Sequence, residues 1–275
     1  MSSFVIKSIG NALNATSLIS SKYASKKALN LFASPRKGRY SENQKRIVSS
    51  ALFEKLKYDN LEIATYRWAG KNKTVLLAHG WESNTSRWDY ILEDLKAKDY
   101  NIIALDAPAH GRSSGKQFNA ILYSEFINVV VKKFQPEVLI GHSVGGMASV
   151  FSMHNNASPS VEKMILLGAP AHFTGVFSRY KTMMGYNNRI SDGLDSIVLE
   201  RFGKPVGYFS AANFTESFNA KGLIIHDKKD RIIPYEDAQL FTNRFKNSEL
   251  ITTTGFGHSL RDESLTPKII EYINS

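Results

Sequence analysis

Between residues 61 and 253 the chain alternates short apolar runs with longer stretches of helical spacing. Leu61–Trp68 alternates apolar and polar side chains as an early strand does, and Thr74–Ala78 is a near-continuous apolar run suited to a buried parallel strand. Ile102–Leu105, Val138–Ile140, Met164–Leu167, Leu223–His226 and Leu250–Thr253 read as further strands. Between them, helical spacing covers Asp89–Lys98, Ala120–Phe134 and the residues after Ser143, and a closing helix spans about Thr266–Asn274. Repeated strand and helix units predict an α/β fold, a mostly parallel sheet wrapped on both faces, with ligands at the carboxyl ends of the strands.

Two intervals depart from this rhythm. Residues 3–33 carry Phe4, Ile9, Leu13, Leu18, Ile19, Tyr23, Leu29 and Phe32 with Lys7, Lys22, Lys26 and Lys27 between them. That spacing predicts two helices broken around Asn14–Ser17, with Thr16 or Ser17 capping the second. They either pack on the rest of the protein or on a partner subunit, or form a basic amphipathic anchor on anionic lipid. A basic linker, Ser34–Arg39, follows. The second interval, from Pro170 to about Ala220, has no strong strand and is dense in aromatic residues and methionine, including Phe173, Phe177, Met183 and Met184. An insertion of this length inside an α/β domain is expected to be a helical cap. The organisation expected is thus an extension over 1–45 and an α/β domain over 46–275, with the cap at about 171–220.

Composition narrows the classes. At 275 residues with 43% apolar content, the chain suits one large domain, and its longest apolar run is far short of a membrane span. The absence of cysteine excludes disulfides and thiolate metal ligands, and a cytoplasmic location is the default expectation. The net charge of +10 lies wholly in residues 1–73, with 14 Lys/Arg against 4 Asp/Glu; the remainder balances at 21 of each. A neutral main domain argues against a broad nucleic-acid surface.

The chemistry centres on Gly141-His142-Ser143-Val144-Gly145, which joins the run Val138–Ile140 to a helix. A serine in such a strand–turn–helix elbow takes a strained backbone conformation, so its neighbours must lack bulk. Its hydroxyl is pushed out at the sheet's edge. Gly111–Gly115 matches the same pattern around Ser113, but there the helix does not follow directly, so Ser113 is expected to be a structural loop residue. Ser143 needs a base and a carboxylate to orient that base. His258, in the glycine-rich loop after the last strand, is the expected base. His142 is expected to be a packed core residue, and His79 to hold neighbouring backbone. For the carboxylate, Asp230 follows the penultimate strand and precedes Pro234; Asp227 is its competitor, and Asp106 is expected to brace the loop 107–115. The backbone N–H groups of Val144 and Trp81 are the expected oxyanion donors.

Together, His79-Gly80-Trp81, Asp106-x-x-x-His110-Gly111-x-Ser113, Gly141-x-Ser143-x-Gly145, Asp230 and Gly257-His258 resemble the α/β-hydrolase superfamily over roughly residues 60–275. The resemblance implies an eight-stranded, mostly parallel sheet and a cap at 171–220, and it implies nothing for residues 1–45. A serine nucleophile sets the chain apart from the relatives that attack haloalkanes or epoxides with aspartate. Asp227 stands where the family often has glycine. The expectation is a serine hydrolase cleaving an ester, or else an amide or thioester, through an acyl-enzyme on Ser143, His258 and Asp230, without metal or organic cofactor. Carbon–carbon bond hydrolysis and perhydrolysis use the same triad, and a binding protein that keeps the fold without turnover is the alternative of another class. The cap aromatics and methionines, with Trp81, predict a small to medium apolar substrate.

Overall fold

The computed structural model describes residues 3–156 and 158–275. The chain divides into a helical unit, residues 1–34 with 172–210, and a body, residues 35–171 with 211–275.

In the helical unit, α1 (Ser3–Ile19) and α2 (Ser21–Ala33) pair with α7 (Phe173–Met184) and α8 (Asn188–Phe202). The break between α1 and α2 falls at Ser20, not at Asn14–Ser17. The reason is local: the Thr16 and Ser17 hydroxyls donate back to the carbonyls of Ala12 and Asn14 within α1, and the Ser20 side chain accepts from Tyr23 N and caps α2. The unit's interior is aromatic and closely packed. The Phe32 ring lies 5.3 Å from that of Phe177 and 4.7 Å from that of Tyr180, and the Tyr180 hydroxyl donates to Ala28 O. Close approach demands small residues: a Cβ on Gly193 would stand 2.2 Å from Ser25 Oγ.

In the body, α3 (Glu42–Ile47) precedes an eight-stranded sheet in the order β1-β2-β4-β3-β5-β6-β7-β8. The strands are β1 (Leu52–Tyr58), β2 (Leu61–Trp68), β3 (Asn72–Ala78), β4 (Tyr100–Leu105), β5 (Val138–His142), β6 (Lys163–Leu167), β7 (Lys221–Asp227) and β8 (Ser248–Thr253). β2 is antiparallel to both β1 and β4, and every other pairing is parallel. The helices α4 (Asp89–Ala97), α5 (Ala120–Phe134), α6 (Val144–Asn155), α9 (Ala211–Phe214), α10 (Glu236–Arg244) and α11 (Thr266–Asn274) complete the body. Among the described residues the core of the body includes an apolar cluster containing Trp88, Leu77, Ile140 and Ile269 and another containing Leu76, Leu139, Phe126 and Tyr123. Leu76 and Leu77, like Leu139 and Ile140, are adjacent residues in different clusters, as side chains alternating across a buried strand must be.

The boundaries at the two unusual intervals differ from those expected. Residues 35–45 belong to the body, where the linker's Arg39 donates to the carbonyls of Gly111 and Ser113 and the Tyr40 hydroxyl to Asp106. Residues 211–220 belong to the body as well, as α9 and the approach to β7. The strand β1 emerges without having been expected: Leu56 alone among its residues is buried, so no alternation marks it.

Candidate active site

Ser143 sits between β5 and α6 with φ 53° and ψ −129°, a left-handed conformation costly for a residue with a Cβ. Its surroundings hold it there. Ser143 N donates to Leu167 O at 2.8 Å on the neighbouring strand, and its carbonyl accepts from Gly146 N and Met147 N in the first turn of α6. A Cβ on Gly145 would fall 2.3 Å from Ala78 O, and one on Gly141 would fall 2.5 Å from the Gly146 Cα. The two glycines are therefore required because backbone passes close to backbone.

His258 occupies a single helical turn, Gly257–Ser259, after β8. Its Nε2 lies 3.0 Å from Ser143 Oγ and its Nδ1 lies 2.7 Å from Asp230 Oδ2. A carboxylate only accepts, so Nδ1 carries the proton and Nε2 presents its lone pair to the serine hydroxyl. Asp230 is fixed from its other side, its Oδ1 accepting from Ile232 N at 2.8 Å and Ile233 N at 2.9 Å. Burial alone pushes this carboxyl up, but the hydrogen bonds from His226 and His258, the His258 charge and the Ile233 amide outweigh it and hold Asp230 well below the ordinary carboxylate range.

Asp227, the competing carboxylate, does not meet His258. Its Oδ2 accepts from Thr253 Oγ1 at 2.7 Å and Phe256 N at 2.9 Å, and its Oδ1 from Lys229 N at 2.8 Å. Burial again raises the group, but these donors prevail and hold it at about 2. Asp227 thus ties the end of β8 to the loop that carries His258.

The turn after β3 runs against the serine: a Cβ on Gly80 would lie 3.0 Å from Ser143 Cβ. Among the described residues, the Trp81 and Val144 amides donate to no protein acceptor. The Trp81 ring packs edge-on against Phe118 and His110, 5.2 and 5.3 Å between centroids.

The remaining histidines hold backbone or pack. His79, fully buried, donates through Nδ1 to Gly80 O and accepts from Ala107 N at Nε2. His110 accepts from Glu82 N, the His172 side chain caps α7, and His154 stacks on Phe214 at 3.8 Å. The Ser113 hydroxyl donates to Asp106 O and accepts from Ala64 N, a structural position. Asp106 accepts from Tyr40, Thr85, Tyr66 and Arg112 N, so it braces the loop as expected of it.

Three residues near the relay were not singled out for what they do. His226 is fully buried, with Nε2 at 3.0 Å from Ile233 O and 3.4 Å from Asp230 Oδ2; burial depresses it, but the bonds to Asp230 and Ile233 leave it above the ordinary imidazole value. His142 is a buried residue as expected, and it also donates through Nε2 to His258 O at 2.8 Å; burial first, then the Arg87 and His258 charges, keep it neutral. Arg87, buried in the turn before α4, donates to Ser259 O at 2.8 Å. No motif marks an arginine of this kind, because its partner is a carbonyl 172 residues away.

The side chains expected to line a substrate pocket divide between the two units. Trp81 belongs to the body; Phe173, Phe177, Met183 and Met184 belong to the helical unit. There Phe177 and Met184 are buried, with Phe177 stacked on Phe173 at 5.0 Å and beside Phe32, so these rings build the unit's own interior. Met183 is exposed.

A family model described as serine aminopeptidase, S33, matches residues 69–186. The AB hydrolase superfamily protein YisY of Bacillus subtilis is 23% identical over 252 residues, covering 75% of this chain and 93% of its own length. A bifunctional esterase/perhydrolase of Acinetobacter calcoaceticus is 22% identical over 271 residues, covering 79% of this chain and 98% of its own. Among solved structures, an esterase from Exiguobacterium antarcticum superposes with a TM-score of 0.63 at 20% identity, covering 81% of this chain and 99% of that one. With the sheet order and the serine elbow, these similarities define the class: the chain belongs to the α/β-hydrolase superfamily. Hydrolysis is the broad activity that goes with that membership.

Proposed function

We propose that the protein is a serine hydrolase that cleaves a carboxylic ester through an acyl-enzyme. The observation that carries this reading is the unbroken relay from Ser143 Oγ through the His258 ring to Asp230, 3.0 Å and 2.7 Å, beneath a serine held at positive φ. As the Ser143 oxygen attacks the ester carbonyl, its proton passes to His258 Nε2, and the bond to the alkoxy group breaks as that proton is returned to it. Water then repeats the sequence on the acyl-enzyme. Asp230 holds the imidazole with its proton on Nδ1 and stabilises the cation that forms during each transfer.

The amides of Trp81 and Val144 are the proposed oxyanion donors. Both flank the serine, one on the turn that Gly80 brings against it and one at the first residue of α6, where the free N–H groups of a helix start point outward. The insertion between β6 and β7 is the proposed cap. The names of the relatives, an esterase and a bifunctional esterase/perhydrolase, support ester chemistry as the first substrate class to test. A fluorophosphonate probe tests the reading: the wild-type chain gains one covalent adduct and hydrolyses p-nitrophenyl esters, and Ser143→Ala does neither. Labelling of the Ser143→Ala chain at the same rate would falsify it.

A further inference from the structure

The first helix carries large apolar side chains on its exposed face. Along α1 the exposed positions recur at Phe4, Ser8, Asn11, Ala15 and Leu18, with Val5, Ala12 and Ile19 on one side of that line and Lys7 on the other, a face at helical spacing that carries no acidic residue. Phe4 is 79%, Leu18 67% and Ile19 91% exposed. Asn14 and Ser17 turn the other way, beside the half-buried Ile9 and Leu13. Asn14 Nδ2 donates to Gly185 O at 2.8 Å, Asn14 Oδ1 accepts from Asn187 N at 2.9 Å, and Asn187 Nδ2 donates to Ser17 Oγ at 3.0 Å. An ordinary surface helix buries its apolar stripe and exposes its polar one. Here the inward hydrogen bonds fix the rotation of α1 with Phe4, Leu18 and Ile19 outside, and apolar side chains held exposed in this way mark a surface that meets something.

Charge identifies what it meets. Residues 1–34 contain four lysines and no acidic residue, and the whole helical unit holds nine Lys/Arg against three Asp/Glu, a net of +6. Lys7 on α1 and Lys22, Lys26 and Lys27 on α2 are all exposed. A second copy of this unit would bring +6 against +6. A surface that accepts apolar side chains and carries fixed negative charge is complementary on both counts, and an anionic bilayer is such a surface. We propose that α1 and α2 dock the protein on anionic membrane, with Phe4, Leu18 and Ile19 entering the headgroup boundary and the lysines lying at headgroup phosphates and carboxylates. Among the described residues no helix is long and apolar enough to cross a membrane, so the contact is one of resting on the surface.

The test is sedimentation of the full chain with vesicles of phosphatidylcholine alone or mixed with phosphatidylserine. The mixed vesicles are expected to retain the protein at low salt and to release it at high salt, and the neutral vesicles to retain little. Lysine-to-glutamine changes at 7, 22, 26 and 27 are expected to weaken binding by about fivefold per site. The double variant Leu18→Ser, Ile19→Ser is expected to weaken it by about tenfold or more. Hydrolysis of a soluble p-nitrophenyl ester stays at the wild-type rate in both variants, which reports that they fold, and Ser143→Ala binds vesicles as the wild type does, so the docking stands or falls apart from the ester reading. Were the serine double variant not to fold, the lysine series decides alone. Failure to sediment with mixed vesicles at low salt overturns the proposal. So does equal binding to both vesicle types, or a dimer in light scattering that the double variant splits, which would make a second copy the occupant.

Discussion

Replacing Asp230 with asparagine separates the two aspartates that follow β7. The substitution conserves volume, and the structure dictates how the new amide turns. Two backbone N–H groups, from Ile232 and Ile233, point at the Oδ1 position, so the asparagine carbonyl oxygen must take that place. Its NH2 then takes the Oδ2 position, 2.7 Å from His258 Nδ1. Two donors cannot share that contact, so His258 releases its Nδ1 proton and carries one on Nε2, the atom 3.0 Å from Ser143 Oγ. The ring can no longer accept the serine proton. A wrong tautomer of this kind lowers kcat by about 10⁴-fold, about 5.5 kcal/mol of barrier. The assay is p-nitrophenyl ester turnover at saturating substrate, with thermal unfolding measured in parallel. The relay loses its basis if Asp230→Asn turns over at the wild-type rate, or if Asp227→Asn is the variant that abolishes turnover while leaving Tm unchanged.

Asp227→Ala is expected to act on stability. It strands Phe256 N, Lys229 N and Thr253 Oγ1, and at about 1 kcal/mol net for each lost bond the chain is about 3 kcal/mol less stable in urea unfolding. Because this carboxyl is held at about 2, below its unfolded value, its contribution is present above the ordinary carboxylate range and lost as pH falls toward 2, so wild type and variant should converge in stability in acid. Equal urea midpoints at neutral pH would count against the buttress. His226→Phe removes a donor that helps hold Asp230 ionised, so the depressed carboxyl rises toward the ordinary carboxylate range, which an NMR titration of the aspartate carboxyls in acid reads directly. An unmoved Asp230 carboxyl would leave His226 with a packing role alone.

Much of the body was legible because its strands are buried. β2 runs over the predicted Leu61–Trp68, and α5 and α11 over Ala120–Phe134 and Thr266–Asn274, since apolar spacing there reports burial directly. β1 was not legible because it is an edge strand whose Glu54, Lys55 and Lys57 face water, and its register comes from the two-residue turn at Asp59–Asn60, with Asp59 at φ 49°. In α1, Phe4, Leu18 and Ile19 read as one class of residue with Ile9 and Leu13, yet the first three lie outside and the last two are half-buried. Spacing alone says which residues share a face. Which face turns inward was settled by Asn14 and Ser17, whose partner Asn187 lies 173 and 170 residues away.

At the site, the elbow and the glycine-rich loop after β8 announced Ser143 and His258, and its place after the penultimate strand and before Pro234 favoured Asp230 over Asp227 and Asp106, but sequence gives no physical measure of the difference. The folded chain supplies one, the acceptor capacity left over. Asp106 receives five donors, from Tyr40, Tyr66, the amide and hydroxyl of Thr85, and the amide of Arg112, so both oxygens are spent. Asp227 receives three that knit β7, β8 and the following loop, and none is an imidazole. In Asp230 the two amides occupy Oδ1 alone, which leaves Oδ2 to the rings of His258 and His226. A carboxylate saturated by fixed donors can only hold structure, because no lone pair faces a group that changes protonation. One with an oxygen reserved for an imidazole can steer a proton, and in this chain that distinction is made by backbone amides two and three residues after Asp230 itself.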